Sequence, residues 1–206
     1  MENSLLYSTL TRFGDYYPLR LENPIGTIIN DLENKYEWVR YNPRKNIDRW
    51  GLSITSLDGG LSGRPDLDSL YEHYSETGEI YREPDFNTKT SVYQYFKKSL
   101  DPLQKHLGRT HVIKLNRGAY FPPHRDNKHS NIESFRLFLP LNYDKQTIFF
   151  MLEDKKMEFD NGKMYFIDTA KMHTLFNTRE EPFYFVVANI ILSKESVDDT
   201  LKFIYG

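Results

Sequence analysis

Seven short apolar runs after residue 108 are what most limits the folds open to this chain. HVIKLN (111–116), SFRLFLPLN (134–142), TIFFMLE (147–153), KKMEFD (155–160), KMYFIDT (163–169), HTLFN (173–177) and FYFVVANIIL (183–192) are rich in β-branched and aromatic residues. Gly, Asn, Asp or Pro separates them, at a spacing of roughly 8–12 residues. Strands this short and this regularly punctuated close into an antiparallel sandwich, barrel or jelly roll. DNGK at 160–163 reads as a hairpin turn between two of them.

Before residue 108 the texture is different. TIINDLENKYEWVRY (27–41), LDSLYEHYSETG (67–78) and SVYQYFKKSLDPLQKHLG (91–108) carry apolar residues at roughly helical spacing. Between the first two, WGLSITSLDGGLSGRPDL (50–67) alternates briefly and then dissolves into Gly, Ser and Pro. It is expected to form one strand and then an ordered loop, which suits either a lid or an ordinary surface connection. The tail SKESVDDTLKFIYG predicts a short helix. At 206 residues the chain is long enough for one well-buried core and short for two. The expected organisation is therefore a single domain over 1–206: a helical, loop-rich region over 1–108, a β core over 109–192 and a tail over 193–206.

Composition narrows the chemistry. With no cysteine there is no disulfide framework, no thiolate metal site and no thiol nucleophile. The formal charge of −2 is near balance and the 27 Lys and Arg residues are dispersed, so a nucleic-acid partner is not expected. No apolar run is long enough to span a membrane, and MENSLLYSTLTRFGD lacks a basic leader, so a cytoplasmic protein is expected. Oligomeric state is not legible.

The segment YFPPHRDNKHS (120–130) sets two prolines, His124 and Asp126 in a polar stretch between apolar runs. In a strand, residues i and i+2 project to one face, so His124 and Asp126 can reach a common point. A lone His-x-Asp pair is equally well a surface ion pair. His173, which opens a later strand, changes the weighing. Two histidines and one carboxylate on neighbouring strands make the facial triad diagnostic of non-haem Fe(II) oxygenases, although the same donors also serve Zn²⁺ with a bound water. His73 and His106 fall in helical patterns, His111 begins a strand and His129 lies in a polar loop; these read as structural or exposed.

GAYFPPHRD (118–126), FRLFLPL (135–141) and NGKMYFIDTAKMHTLFNTREEPFYFVV (161–187) resemble, in order, the segments of the aspartyl/asparaginyl β-hydroxylase and proline-hydroxylase-like branch of the Fe(II)/2-oxoglutarate dioxygenases. The resemblance covers roughly residues 108–192. It implies a double-stranded β-helix, a cupin-like jelly roll, with His124, Asp126 and His173 as iron ligands. It also implies Fe(II), 2-oxoglutarate and O2 as cofactor and cosubstrates, and hydroxylation of an unactivated C–H bond of an amino acid or peptidyl residue. Arg136 falls on an arginine that helps to hold 2-oxoglutarate, and Asn177 on an asparagine read as structural. Tyr120, Asn127 and Thr169 are close enough in sequence to orient the histidines.

Two positions depart from the family pattern. Phe138 replaces a histidine, and Phe183 stands where the family carries the arginine that pairs with the far carboxylate of the cosubstrate. A buried carboxylate needs a cation or several donors, so Arg136 is the first replacement anchor, with Arg179, Lys114 and Lys163 behind it. Arg49, Arg64 and Trp50 are candidates for contact with a small-molecule or peptide substrate. The rival readings are a cupin-like module that binds metal or a small ligand without oxygenase turnover, a Zn²⁺ hydrolase or isomerase, and a purely structural β domain.

Overall fold

The protein is described from a computed structural model covering residues 2–126 and 132–204. Thirteen strands run in chain order: β1 (Tyr16–Glu22), β2 (Val39–Arg40), β3 (Arg49–Ser53), β4 (Thr55–Ser56), β5 (Thr88–Lys89), β6 (Leu107–Leu115), β7 (Tyr120–His124), β8 (Ser134–Pro140), β9 (Ile148–Leu152), β10 (Lys155–Met157), β11 (Lys163–Ile167), β12 (His173–Asn177) and β13 (Phe183–Ile191). Five helices accompany them: α1 (Glu2–Thr11), α2 (Ile28–Lys35), α3 (Leu70–Thr77), α4 (Lys97–Leu100) and α5 (Lys194–Leu201). None of the described helices is long and apolar enough to cross a membrane.

The strands pair as a large sheet ordered β1-β11-β8-β13-β6-β3-β2, a smaller sheet ordered β10-β9-β12-β7, and the ribbon β4-β5. From β6 onward the chain alternates between the two main sheets, interrupted once by the β9-β10 hairpin. Every pairing is antiparallel. This is the double-stranded β-helix, or jelly roll. Its strands are short because each must bend into the opposite sheet within a few residues.

Two apolar cores follow from strand alternation. Along β13, Phe183 and Phe185 face the interior between the sheets, while Tyr184, Val186 and Ala188 face the other way, against the N-terminal elements and α5. Inside, Phe138 packs on Phe159 at 4.9 Å, Phe185 at 5.1 Å and Phe150 at 5.3 Å between ring centroids. Fully burying each such ring contributes about 1.5–3 kcal/mol, and the offset and tilted contacts add to it.

The N-terminal half departs from its helical texture. Three of its segments, β1, β2 and β3, extend the large sheet. The alternation of YYPLRLE was masked by Pro18, which removes a backbone donor; the strand forms because it is the edge of the large sheet, met on its outer side only by the bridge of Leu19 to Ile204, so the missing N–H costs least there. The helix expected over 27–41 stops at Lys35, and Val39–Arg40 joins the sheet instead. The helix expected over 91–108 breaks into the one-turn α4 between two 3-10 turns, the second opened by Pro102. DNGK is a turn, with Gly162 at φ +79° and Lys163 N–H donating to the Asp160 carbonyl. It carries the chain from one sheet to the other and so is not a hairpin.

Candidate metal centre

His124 closes β7 and His173 opens β12, and the two are direct cross-strand partners with ring centroids 4.2 Å apart. Pro122 and Pro123 make this possible. Leu175 pairs with Phe121 and His173 with His124, so three steps on β7 match two on β12. The extra residue is a bulge on an edge strand, where proline is tolerated. It lets both Phe121 and His124 line the interior cavity, which strict alternation forbids.

Asp126 arrives by another route than the one its spacing suggests. It lies beyond the end of β7, so strand alternation does not place it. Its backbone N–H donates to the Thr169 carbonyl at 3.0 Å, tying the segment to the turn that precedes β12. Ligand atoms of His124, Asp126 and His173 then lie within 4.8 Å of one another.

The donor arithmetic at this point is telling. His124 Nδ1 lies 2.6 Å from the Pro122 carbonyl oxygen and His173 Nδ1 lies 3.0 Å from the Lys171 carbonyl oxygen. A carbonyl only accepts, so each Nδ1 carries the proton and each Nε2 of the neutral ring presents a lone pair. Those Nε2 atoms face Asp126, at 3.2 Å from Oδ1 for His124 and 3.5 Å from Oδ2 for His173. Lone pairs and a carboxylate converging on one point repel unless a cation or shared protons sit between them. Two imidazoles and one carboxylate fit a divalent transition metal, and backbone carbonyls on the far ring nitrogens are the usual means of orienting such ligands.

Arg136, on β8, places Nη1 2.9 Å from Asp126 Oδ2. The guanidinium N–H is not aimed along a hydrogen bond, so the pair is Coulombic and Oδ2 is a buried acceptor without a hydrogen-bonded partner. Burial alone raises the pKa of Asp126. The Arg136 charge and the neighbouring His124 and His173 rings reverse that and hold the carboxyl far below its ordinary range. Burial lowers the pKa of His173, with Asp126 only partly opposing, so the ring is neutral and ready to ligate at neutral pH.

The remaining anticipated residues are dispersed. Lys114 alternates to the outer face of β6, where it pairs with Glu33 at 2.9 Å and lies over the Trp38 ring. Arg179 is spent on the carbonyls of Asn142, Glu181 and Pro182. Lys163 pairs with Asp160. None of the three lines the cavity or cleft at the triad. Asn177 is fully buried and donates to the carbonyls of Leu115 and Glu181. Trp50, next to Arg49 on β3, is half-buried and donates to Asp48, and Arg64 is exposed in the loop that follows β4; neither lines the cavity or the cleft. Thr169 lines the cavity, whereas Tyr120 is exposed on the outer side. Asn127 and His129 lie outside the described residues.

Two hollows meet at the triad. The interior one, lined by Phe121, Phe138, Phe150 and Phe185 with His124, Arg136 and His173, encloses about 50 Å³. That is far below the ~300–1,000 Å³ of an ordinary ligand pocket. Phe183 lies deeper in the same interior, fully buried and stacked on Phe185 at 5.0 Å. The second hollow is a cleft of about 320 Å³ between β2, β3, β7 and the 66–69 loop, and it includes Arg49, Tyr41, Asp126 and Arg136. Tyr41 and Phe121, shared by both hollows, escaped the sequence reading. Their signal was the alternation of two segments, one of which resembled a helix.

A family model described as Aspartyl/Asparaginyl beta-hydroxylase matches residues 84–190, more than half of the chain. No curated protein sequence matches. Among solved structures, a Pseudomonas putida prolyl-4-hydroxylase shares 12% identity over 94% of this chain and 100% of its own, at a TM-score of 0.49. KdgF from Halomonas sp. shares 10% identity over 79% of this chain and 93% of its own, at 0.39. A cupin 2 conserved barrel domain protein from Salinispora arenicola shares 11% over 45% and 69%, at 0.31. These are likenesses of fold, and loose ones.

Proposed function

The chain belongs to the aspartyl/asparaginyl β-hydroxylase family, and from that premise we propose that it is a non-haem Fe(II)/2-oxoglutarate-dependent oxygenase that hydroxylates an unactivated C–H bond of an amino acid or peptidyl residue. The observation that carries this reading is the convergence of His124 Nε2, His173 Nε2 and the Asp126 carboxylate, with both Nδ1 atoms committed to backbone carbonyls.

His124, Asp126 and His173 would hold the iron, leaving one side of it open to the hollows. When bound, iron with 2-oxoglutarate and O2 supplies oxidative chemistry that no side chain can. The protein's own share is placement. The Pro122 and Lys171 carbonyls fix the two imidazole planes, and Arg136 restrains Oδ2 of Asp126. The rings of Phe121, Phe138, Phe150 and Phe185 keep bulk water from the inner side. A substrate reaches the centre through the cleft, where the 66–69 loop contributes Asp68 and Ser69.

The test is succinate release from 2-oxoglutarate under air with added Fe(II), alongside His173→Ala. Release in wild type and none in the variant is the expected result. Metal binding without release in wild type would favour the second reading, a cupin-like metal-binding module. The specific support for that alternative is Phe183, an aromatic ring where a carboxylate anchor is needed.

A further inference from the structure

Arg49 is 3% exposed and forms no ion pair or side-chain hydrogen bond with any described residue; its Nε is buried without a partner. Its guanidinium carbon lies 4.4 Å from the centre of the Phe121 ring and 5.5 Å from that of Tyr41. Stacking on aromatic faces offsets part of the desolvation of a guanidinium, but a buried charge without an anion remains costly. A protein that retains one has a use for it.

The surroundings say what that use is. Four cations line the cleft at the triad: Lys45, Arg49, Arg109 and Arg136. Three are engaged: Lys45 with Glu72, Arg109 with Glu83 and Arg136 with Asp126. The cleft's two carboxylates are engaged as well, Asp68 by Arg44 and Asp126 by Arg136, and neither pairs with Arg49. Asp48, adjacent in sequence, turns outward to Arg40, Trp50 and Asn116. Arg49 is thus a pre-positioned cation without an anion among the described residues, with one phenyl ring between it and the imidazole of His124.

Sheet register explains how it came to stand there. Phe183 pairs with Leu115 across β13 and β6, and Leu115 pairs with Arg49 across β6 and β3. Arg49 therefore occupies the same row of the large sheet as Phe183, two strands over and on the same inner face. Residues 84–190, which carry the family match, do not include it.

We propose that Arg49 is the anchor for the carboxylate of a small organic acid bound in the cleft beside the triad, taken through its planar guanidinium fork. That carboxylate belongs either to the far end of the 2-oxo acid cosubstrate or to an acidic substrate. The inference rests on the metal-centre reading above.

The experiment titrates Mn(II) and then acids into wild type, Arg49→Met and Arg49→Lys, following heat by calorimetry under nitrogen. The acids are 2-oxoglutarate, 2-oxopentanoate, which lacks the far carboxylate, and L-aspartate added to the protein already holding 2-oxoglutarate. If the anchor serves the cosubstrate, wild type prefers 2-oxoglutarate over 2-oxopentanoate by roughly tenfold or more, and Arg49→Met erases the preference. If it serves the substrate, 2-oxoglutarate binds both proteins alike, and L-aspartate binds wild type but not Arg49→Met. Arg49→Lys keeps the charge without the fork and falls between. Arg49→Met without acid is expected to unfold at or above the wild-type temperature, since it sheds an unpaired buried charge, so lost binding is not lost folding. Undiminished binding of every acid to Arg49→Met, or no binding of any to wild type, overturns the proposal. Failure of Mn(II) itself to bind would instead overturn the metal-centre reading.

Discussion

The interior between the two sheets has a polar end and an aromatic end, and they are organised by different rules. At the first, His124, Asp126, His173 and Arg136 converge within a few ångströms, with ring tautomers fixed by backbone carbonyls. At the second, Phe138, Phe150, Phe159, Phe183 and Phe185 fill the space by tilted and stacked ring contacts. The polar end is built to receive something and leaves an acceptor unsatisfied; the aromatic end is closed. A ligand anchored far from the triad has no cation to meet in the aromatic end, and the available guanidinium is on the cleft side, at Arg49.

Substitutions can break this division. The largest effect is expected from His173→Ala, which should lower Mn(II) affinity by at least about 100-fold in a calorimetric titration while the fold survives. The ring is buried but belongs to neither apolar cluster. Phe185→Ala should do the reverse. Removing a fully buried ring from the aromatic end costs about 3–5 kcal/mol in urea unfolding. Metal affinity of the fraction that remains folded should change little.

A smaller effect isolates the join between the two ends. Arg136→Gln should lower the stability of the metal-free protein by about 1–2 kcal/mol at pH 7, the penalty being limited because the side chain is partly exposed. The sign of its pH dependence follows from Asp126, whose folded pKa is depressed. That stabilisation is present above the unfolded carboxyl value of about 3.9 and is lost as pH falls further. The gap between wild type and variant in urea midpoint should therefore close in acid.

The smallest expected effect concerns His111, which is buried on the cleft side with Nδ1 unpaired. Burial first, then the charges of Arg109 and Arg136, hold its pKa well below the ordinary histidine value. The unfolded chain takes up this proton and the folded one does not, so stability is full above about pH 6.5 and declines below it. His111→Leu should flatten the urea midpoint between pH 7 and pH 5. An unchanged slope would remove His111 from the account.

What was legible in the sequence follows the same division. The strands from 111 onward announce themselves because two-sided burial demands β-branched and aromatic residues at short intervals. The pairing of His124 with His173 is non-local, yet each residue sits at a strand end that its neighbours mark. Asp126 was identified for a reason the fold does not use, since a proline bulge and one backbone hydrogen bond place it rather than alternation. The cleft side was harder to read. Val39–Arg40 is too short to carry a period and comes soon after a helix, whereas the brief alternation that opens WGLSITS did mark the strand Arg49–Ser53. Whether an arginine is paired depends on contacts far away in sequence, so the idle Arg49 and the occupied Lys114 look alike until the sheet is assembled.

The measurement closest to the central claim is an anaerobic Fe(II) titration of wild type, His124→Ala, Asp126→Ala and His173→Ala, counting iron bound per chain. The account predicts one iron per chain in wild type and loss of that site in each single variant. Iron that binds equally well to all four proteins, or to none of them, would contradict it.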